Sequence, residues 1–497
     1  MSQPSPKQRE SLRFRRFLHA GEPAPAAIIA RQPWHPEAII AVTCIGAFIG
    51  QLDASIVQLA LPSLADVFDA SVSDVSWVSL GYLLAFASFL PVFARLCEMF
   101  GRKLLYIAGF ALFSLATALC GFAPTLTWLI IFRILQGIGG ALLGANSIAV
   151  LVKSIDPARR GRALGVFAAV QAVGISAGPL LGGLLLGNFG WRWLFWVTVP
   201  FGVMAVIAGW YVLPRTESLP TGKPFDWRGA VLLMPALTAF ILALNQVTAW
   251  GPASPYFIFC LVATIVLMTL LVRHEGRTPF PLLDLRLLRS AAFSFDALAV
   301  LLGYAMLYSM FFLMSFVLIR GFHDSAEHAG LRLAVIPIAI GAVAPLSGAL
   351  SARLPPRLVR FAGMAVCILA LLFLAIIALQ PTVSRAEGTM AVAVFGAGLG
   401  AFIPLSNLAA ISHAPPALAS EAGGMLNLMR VLGTSLGVAS TASMLSWRFY
   451  VLTGAASKGD FFSGRPLLGA VESSFLMLAV FAAVAAILSM VRDPKSA

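Results

Sequence analysis

The chain has 497 residues, of which 59% are hydrophobic and 11% charged, and its mean hydropathy is +0.90. A soluble domain carries roughly 25% charged residues, so this composition excludes a water-exposed globule, a secreted disulfide scaffold, a disordered chain and a nucleic-acid-binding domain. The net charge of +13 sits in short loops between apolar runs, which is a topology signal and not a nucleic-acid face.

Residues 1–37 are basic and proline-rich (Arg13, Arg15, Arg16) and hold no apolar core of signal-peptide type before Trp34; they are predicted to be a cytoplasmic N-terminal tail. Continuous apolar runs of roughly 20 residues then recur, the length at which an α-helix crosses a bilayer, whereas a β-barrel would show alternation. Fourteen spans are predicted: 38–61, 74–96, 103–122, 126–152, 163–187, 193–213, 229–248, 255–273, 293–319, 331–351, 360–380, 388–411, 422–446 and 472–491. The expected fold class is therefore an all-α polytopic membrane protein. Cys44, Cys97, Cys120, Cys260 and Cys367 lie in or beside these runs without paired spacing and read as reduced packing residues.

An even number of spans puts both termini on one side, and lysine and arginine decide which. With a cytoplasmic N-terminus, 25 of the 34 fall in inside segments and 7 outside (Arg192, Arg320, Arg332, Arg385, Arg448, Lys458, Arg465), while Arg133 and Arg430 lie within spans. That asymmetry predicts both termini inside. The segment Ala94–Lys103 after span 2 is echoed by Gly348–Arg357 after span 10, eight spans later. Duplicated six-helix halves are typical of transporters that rock about a central site, so spans 7 and 8 read as an insert. The expected layout is a tail over 1–37, a six-helix bundle over 38–213, a linker with two extra spans over 214–292, a second bundle over 293–491 and a tail over 492–497.

A charge at the bilayer centre costs about 2.5–3.5 kcal/mol on the insertion scale, so a charge found there is partnered or in use. Asp53, ~21 Å into span 1, and Arg133, ~10 Å from the outer end of span 4, share the outer half of the membrane. Asp53 falls in line with Gly46, Gly50, Val57 and Ala60, and Arg133 with Gln136, Gly137, Gly140 and Gly144, two small-residue faces that permit close approach. Burial disfavours a carboxylate and a nearby guanidinium favours it, so a motion that changes either changes proton affinity; a static structural pair is the other reading. Arg430, one turn beyond Asn427 in span 13, suits an anionic group, a carboxylate counter-ion or a packing role. Asp296 lies ~6 Å from the cytoplasmic end of its helix, so it can reach the interface.

Four segments resemble the drug:proton antiporters of the major facilitator superfamily, in particular the fourteen-span EmrB/QacA type. Leu52–Pro62 resembles the family's first-helix motif, with Gln58 where Asn is usual, and Leu129–Ala141 its fourth-helix motif. The resemblance makes Asp53 and Arg133 proton-coupling residues. Gly174–Gly183 resembles the fifth-helix motif of antiporters. Gly174, Gly178 and Gly182 lie on one face, with Gly183 beside them, and Pro179 predicts a kink. The loop after span 2 resembles the gating-loop motif through Glu98, Gly101, Arg102 and Lys103, with Ala94 and Met99 as departures; the second copy has Ala352 at the acidic position. The fold implied is two six-helix bundles plus two extra central helices.

A central cavity is expected from spans 1, 2, 4, 5, 9, 10, 12 and 13. Tyr82, Phe86, Gln171, Tyr304, Tyr308 and Asn407 are candidate lining residues, with Asn427 and Arg430 as a second-half polar site. The six histidines lie in the tail, loops or span ends, and no catalytic set, metal motif or P-loop is seen, so neither an enzyme nor a cofactor is expected. The reading is an inner-membrane secondary antiporter driven by the proton gradient, with export or import of a specific metabolite as the alternative. Its partners would be the lipid bilayer, a small-molecule substrate and protons. A periplasmic adaptor and an outer-membrane channel are further partners of the family type, and no nucleic acid is expected.

Overall fold

Fourteen helices in the computed structural model are long and apolar enough to cross a membrane. They are α1 (His35–Val67), α2 (Val72–Phe100), α3 (Arg102–Gly121), α4 (Leu126–Ser154), α5 (Pro157–Asn188), α6 (Trp193–Val212), α7 (Trp227–Val247) and α8 (Pro255–Glu275). The rest are α9 (Ala291–Gly321), α10 (Ala326–Ser351), α11 (Pro356–Ala378), α12 (Arg385–Ser412), α13 (Glu421–Thr453) and α14 (Pro466–Met490). The structure describes residues 22–216, 225–251, 253–279, 281–378, 380, 385–415, 418–454 and 464–490, and no strand occurs among them. Arg13, Arg15, Arg16, Lys223, Lys458 and the 492–497 tail lie outside the described residues.

Most helices overrun the predicted spans. Hydropathy marks only the hydrocarbon thickness, whereas a helix continues until a cap ends it. Ser71, Thr125, Asp226, Ser254, Ser290 and Ser325 each accept a hydrogen bond from a backbone N–H two or three residues on, starting α2, α4, α7, α8, α9 and α10. The turn between α2 and α3 is Gly101, whose φ of 103° suits glycine alone. Arg95 and Glu98 are therefore helical, not loop residues.

In the first bundle α2 and α3 pack on α4, α1 on α5 and α3 on α6; in the second, α9 packs on α13, α11 on α12 and α14, and α10 on α12. The bundles meet where α2 touches α13, α5 touches α10 and α1 touches α9. Helix α7 lies against both α2 and α13. Ser73 Oγ donates to the Asn245 carbonyl (3.3 Å), Asn245 Nδ2 donates to Ser76 Oγ (2.9 Å), and Ser443 Oγ donates to the Leu244 carbonyl (2.7 Å).

Call the side where α1 begins the near side. The far side then gathers the ends of α1, α5, α7 and α9 with the starts of α2 and α10. It is closed. Arg320 pairs with Asp66 across the bundles, and Asn188 Nδ2 donates to Glu327 Oε1 at 2.7 Å. A Cβ on Gly183 would lie 2.6 Å from the Ala326 carbonyl, and one on Gly330 would strike the Pro179 carbonyl, so α5 and α10 meet backbone to backbone. All five cysteines are buried and unpaired.

Candidate functional site

Asp53 on α1 and Arg133 on α4 are each 1% exposed and form an ion pair of 2.7 Å. The Arg133 nitrogen in that pair, Nη1, also donates to Gln136 Oε1 (2.5 Å), and Nε donates to the Val78 carbonyl (2.8 Å). Gln136 Nε2 donates to Asp53 Oδ1 (2.8 Å) and to Thr117 Oγ1 on α3 (2.7 Å). Both carboxylate oxygens thus have donors, the condition for keeping a charge out of water. The Tyr82 ring lies 4.4 Å from the Arg133 guanidinium and closes the group on one side.

The two glycine faces that carry this pair do not meet each other. On α4, Gly137, Gly140 and Gly144 receive Tyr82 and Phe86 of α2, while Gly46 of α1 faces Tyr106 and Phe110 of α3. The length of Arg133 bridges α1 and α4. On α5, Cβ atoms at Gly174 and Gly178 would collide with Phe48 and Ser55 of α1, while Gly183 faces the second bundle. Small residues here let backbones approach. Helix α5 runs unbroken through Pro179.

Beyond Tyr82 lies a cavity of about 520 Å³ between the bundles. Tyr82, Phe86, Gln171, Tyr304, Tyr308, Asn407, Asn427 and Arg430 all line it, on α2, α5, α9, α12 and α13, and Phe113 of α3 is an unforeseen addition. Towards the near side it reaches Ile148 (52% exposed) and Ile411 (49%). Arg430 Nη2 donates to Asn407 Oδ1 (3.1 Å), and its guanidinium lies 5.4 Å from the Tyr304 ring centre. No carboxylate pairs with it among the described residues.

The gating-loop residues contact their own bundle. Glu98 pairs with Arg95 one turn away at 2.8 Å. The Arg102 N–H donates to Thr216 Oγ1 (3.0 Å), and the buried Lys103 Nζ donates to the carbonyls of Pro23 (2.8 Å) and Leu213 (2.7 Å). Glu22 accepts from the Thr216 N–H (2.8 Å), so the entry to α1 and the exit from α6 are tied at this corner.

The expectation for Asp296 is corrected. Its carboxylate does not open to solvent: it is 4% exposed, paired with Arg360 of α11 (2.5 Å) and with His413 (2.7 Å) at the end of α12. Arg360 and His413, expected to be loop and span-end residues, converge with Asp296 where three helices end. Arg320, counted as an outside loop charge, is buried in a π-helical turn that ends α9.

A family model described as Major Facilitator Superfamily matches residues 43–438. The chain belongs to the major facilitator superfamily. It is 29% identical over 414 residues to a multidrug resistance protein B homolog of Mycobacterium tuberculosis, covering 82% of this chain and 76% of that one. It is 29% identical over 425 residues to the tetracenomycin C resistance and export protein of Streptomyces glaucescens, covering 85% and 78%. A bacterial homolog to the human lysosomal transporter Spinster, solved inward-facing and unoccupied, superposes with a TM-score of 0.66 at 18% identity, covering 92% of this chain and 96% of that one. The fourteen helices are thus those of a multi-pass facilitator-type membrane transporter, and the family and these relatives are transporters, not enzymes.

Proposed function

We propose that this transporter is a proton-coupled antiporter of the cytoplasmic (inner) membrane that exports amphipathic, lipophilic compounds by alternating access. The observation that carries the reading is the placement of the Asp53–Arg133 pair, buried behind Tyr82, directly against the lining of a cavity that, among the described residues, extends towards the near side. The excess of basic residues on the near side supports that side as cytoplasmic, and both termini with it.

In this scheme the closed far side makes the present state inward-facing. Substrate enters from the cytoplasm or inner leaflet and rests against Tyr82, Phe86 and the second-bundle tyrosines. Transition opens α5 from α10 at Gly183 and Gly330. A proton arriving from outside neutralises Asp53 and releases Arg133 from its ion pair, which favours return to the inward-facing state. One charge crossing 100 mV corresponds to about 2.3 kcal/mol, comparable with the cost of altering one buried ion pair, so the proton gradient supplies the drive without a cofactor. Glu98, Gly101, Arg102 and Lys103 would latch the near side in the outward-facing state. In a cell with two membranes, a periplasmic adaptor and an outer-membrane channel are the partners that would carry substrate onward.

The test is transport in vesicles with an imposed pH gradient. Asp53→Asn is expected to reduce gradient-driven export to the level of protein-free vesicles while energy-independent substrate exchange persists. Gradient-driven export by Asp53→Asn at the wild-type rate would overturn the coupling scheme.

A further inference from the structure

The cavity has an unbalanced charge. Asp53 and Arg133 neutralise each other behind Tyr82 and present no net charge to it. Among the described residues lining the cavity, Arg430 alone is charged. Its described partners are neutral: one hydrogen bond to Asn407 and the face of Tyr304. Its Nε is buried and makes no hydrogen bond. A guanidinium has five N–H donors in a planar fork that matches carboxylate, sulfonate and phosphate oxygens. Held against an apolar wall, it has among the described residues no counter-charge of the kind such an environment demands.

We infer that Arg430, assisted by Asn407, is the recognition site for the anionic group of an amphipathic anion, whose apolar body rests against Phe86, Tyr304 and Tyr308. Amphipathic cations are disfavoured by the same unpaired charge. The inference rests on the reading of the cavity as the substrate site, and it adds the sign of the substrate's charge. Bound anion neutralises Arg430, so the loaded cavity carries no net charge through the bilayer centre, where an uncompensated charge is costly.

Two fluorescent probes isolate this contribution because they differ by one sulfonate: 1-anilinonaphthalene-8-sulfonate and the neutral N-phenyl-1-naphthylamine. Binding is measured on the full chain in lipid nanodiscs, with protein-free nanodiscs subtracted. Arg430→Gln is expected to weaken the sulfonate probe by about tenfold more than the neutral probe, equivalent to about 1.4 kcal/mol. Arg430→Lys retains a positive charge and is expected to keep most of the anion preference. Retained binding of the neutral probe shows that a variant is folded. Unchanged binding of the sulfonate probe by Arg430→Gln, or wild-type protein binding tetraphenylphosphonium as tightly as the sulfonate probe, overturns the anion site and leaves the cavity reading standing. Failure of the wild-type protein to bind either naphthyl probe overturns both.

Discussion

Asp296, Arg360 and His413 show how much of a buried charge depends on residues distant in the chain. Arg360 is 64 positions from Asp296, and His413 is 117. The Arg360 guanidinium also donates to the Ser489 carbonyl (3.3 Å), so α9, α11, the end of α12 and α14 are joined at one point on the near side. Removing one member of a buried ion pair strands the other charge, at a cost of about 3–5 kcal/mol, whereas removing both is often nearly neutral. Arg360→Leu is therefore expected to lower thermal stability markedly, and Asp296→Leu with Arg360→Leu to recover most of the loss; unfolding followed in detergent at fixed pH measures both. Asp53 and Arg133 belong to the same class but differ in setting, since their shell of Gln136, Thr117 and Tyr82 abuts the cavity. Their pairing was legible from depth along two antiparallel spans. The Asp296 cluster was not, because a charge within a few ångströms of a helix end has two solutions: reaching water, or finding a partner on another helix.

At the scale of elements, the glycine stripes decide which helices touch and where they part. Gly174 and Gly178 seat α5 on α1 within the first bundle, whereas Gly183, one residue round the helix from Gly182, seats α5 on Gly330 of α10 in the second. One helix thus carries a contact within its bundle and a contact between the bundles on adjacent faces. A valine at 330 would drive its Cβ into the Pro179 carbonyl. Gly330→Val is expected to prop the far side open and shift the population away from the near-side-open state. A cysteine at Gln171 would report this: in Gly330→Val its labelling by a membrane-impermeant thiol reagent from the near side should fall, and from the far side rise. The glycine spacing on α5 was visible in the sequence, but the division of labour between Gly182 and Gly183 was not, because it depends on where α10 lies.

For the whole molecule, α7 joins the two bundles on the far side through Asn245, Ser73, Ser76 and Ser443. Helix α8 instead turns most of its surface outwards, as a lipid-facing helix does. Any rocking of the bundles must carry α7 with it or break these hydrogen bonds. The proposed orientation has a direct check: a green fluorescent protein fused after residue 497 should fluoresce, and alkaline phosphatase at the same site should stay inactive. The reverse result would invert near and far sides and make the described state outward-facing.

Composition and apolar run length alone determined that this chain is helical and has fourteen segments long and apolar enough to cross a membrane; the family came from the motifs, not from composition. These properties follow from the cost of leaving backbone polar groups unsatisfied in hydrocarbon, which acts on each segment separately. The cavity-lining residues were nearly as legible, since polar and aromatic side chains in apolar spans have few other places to face. Only the tertiary structure decided that, among the described residues, the bundles meet on the far side, no carboxylate pairs with Arg430, and Asp296 has two basic partners. Those facts depend on which helices are neighbours, and helix neighbours in a bilayer are chosen by packing between distant segments, for which hydropathy carries no signal.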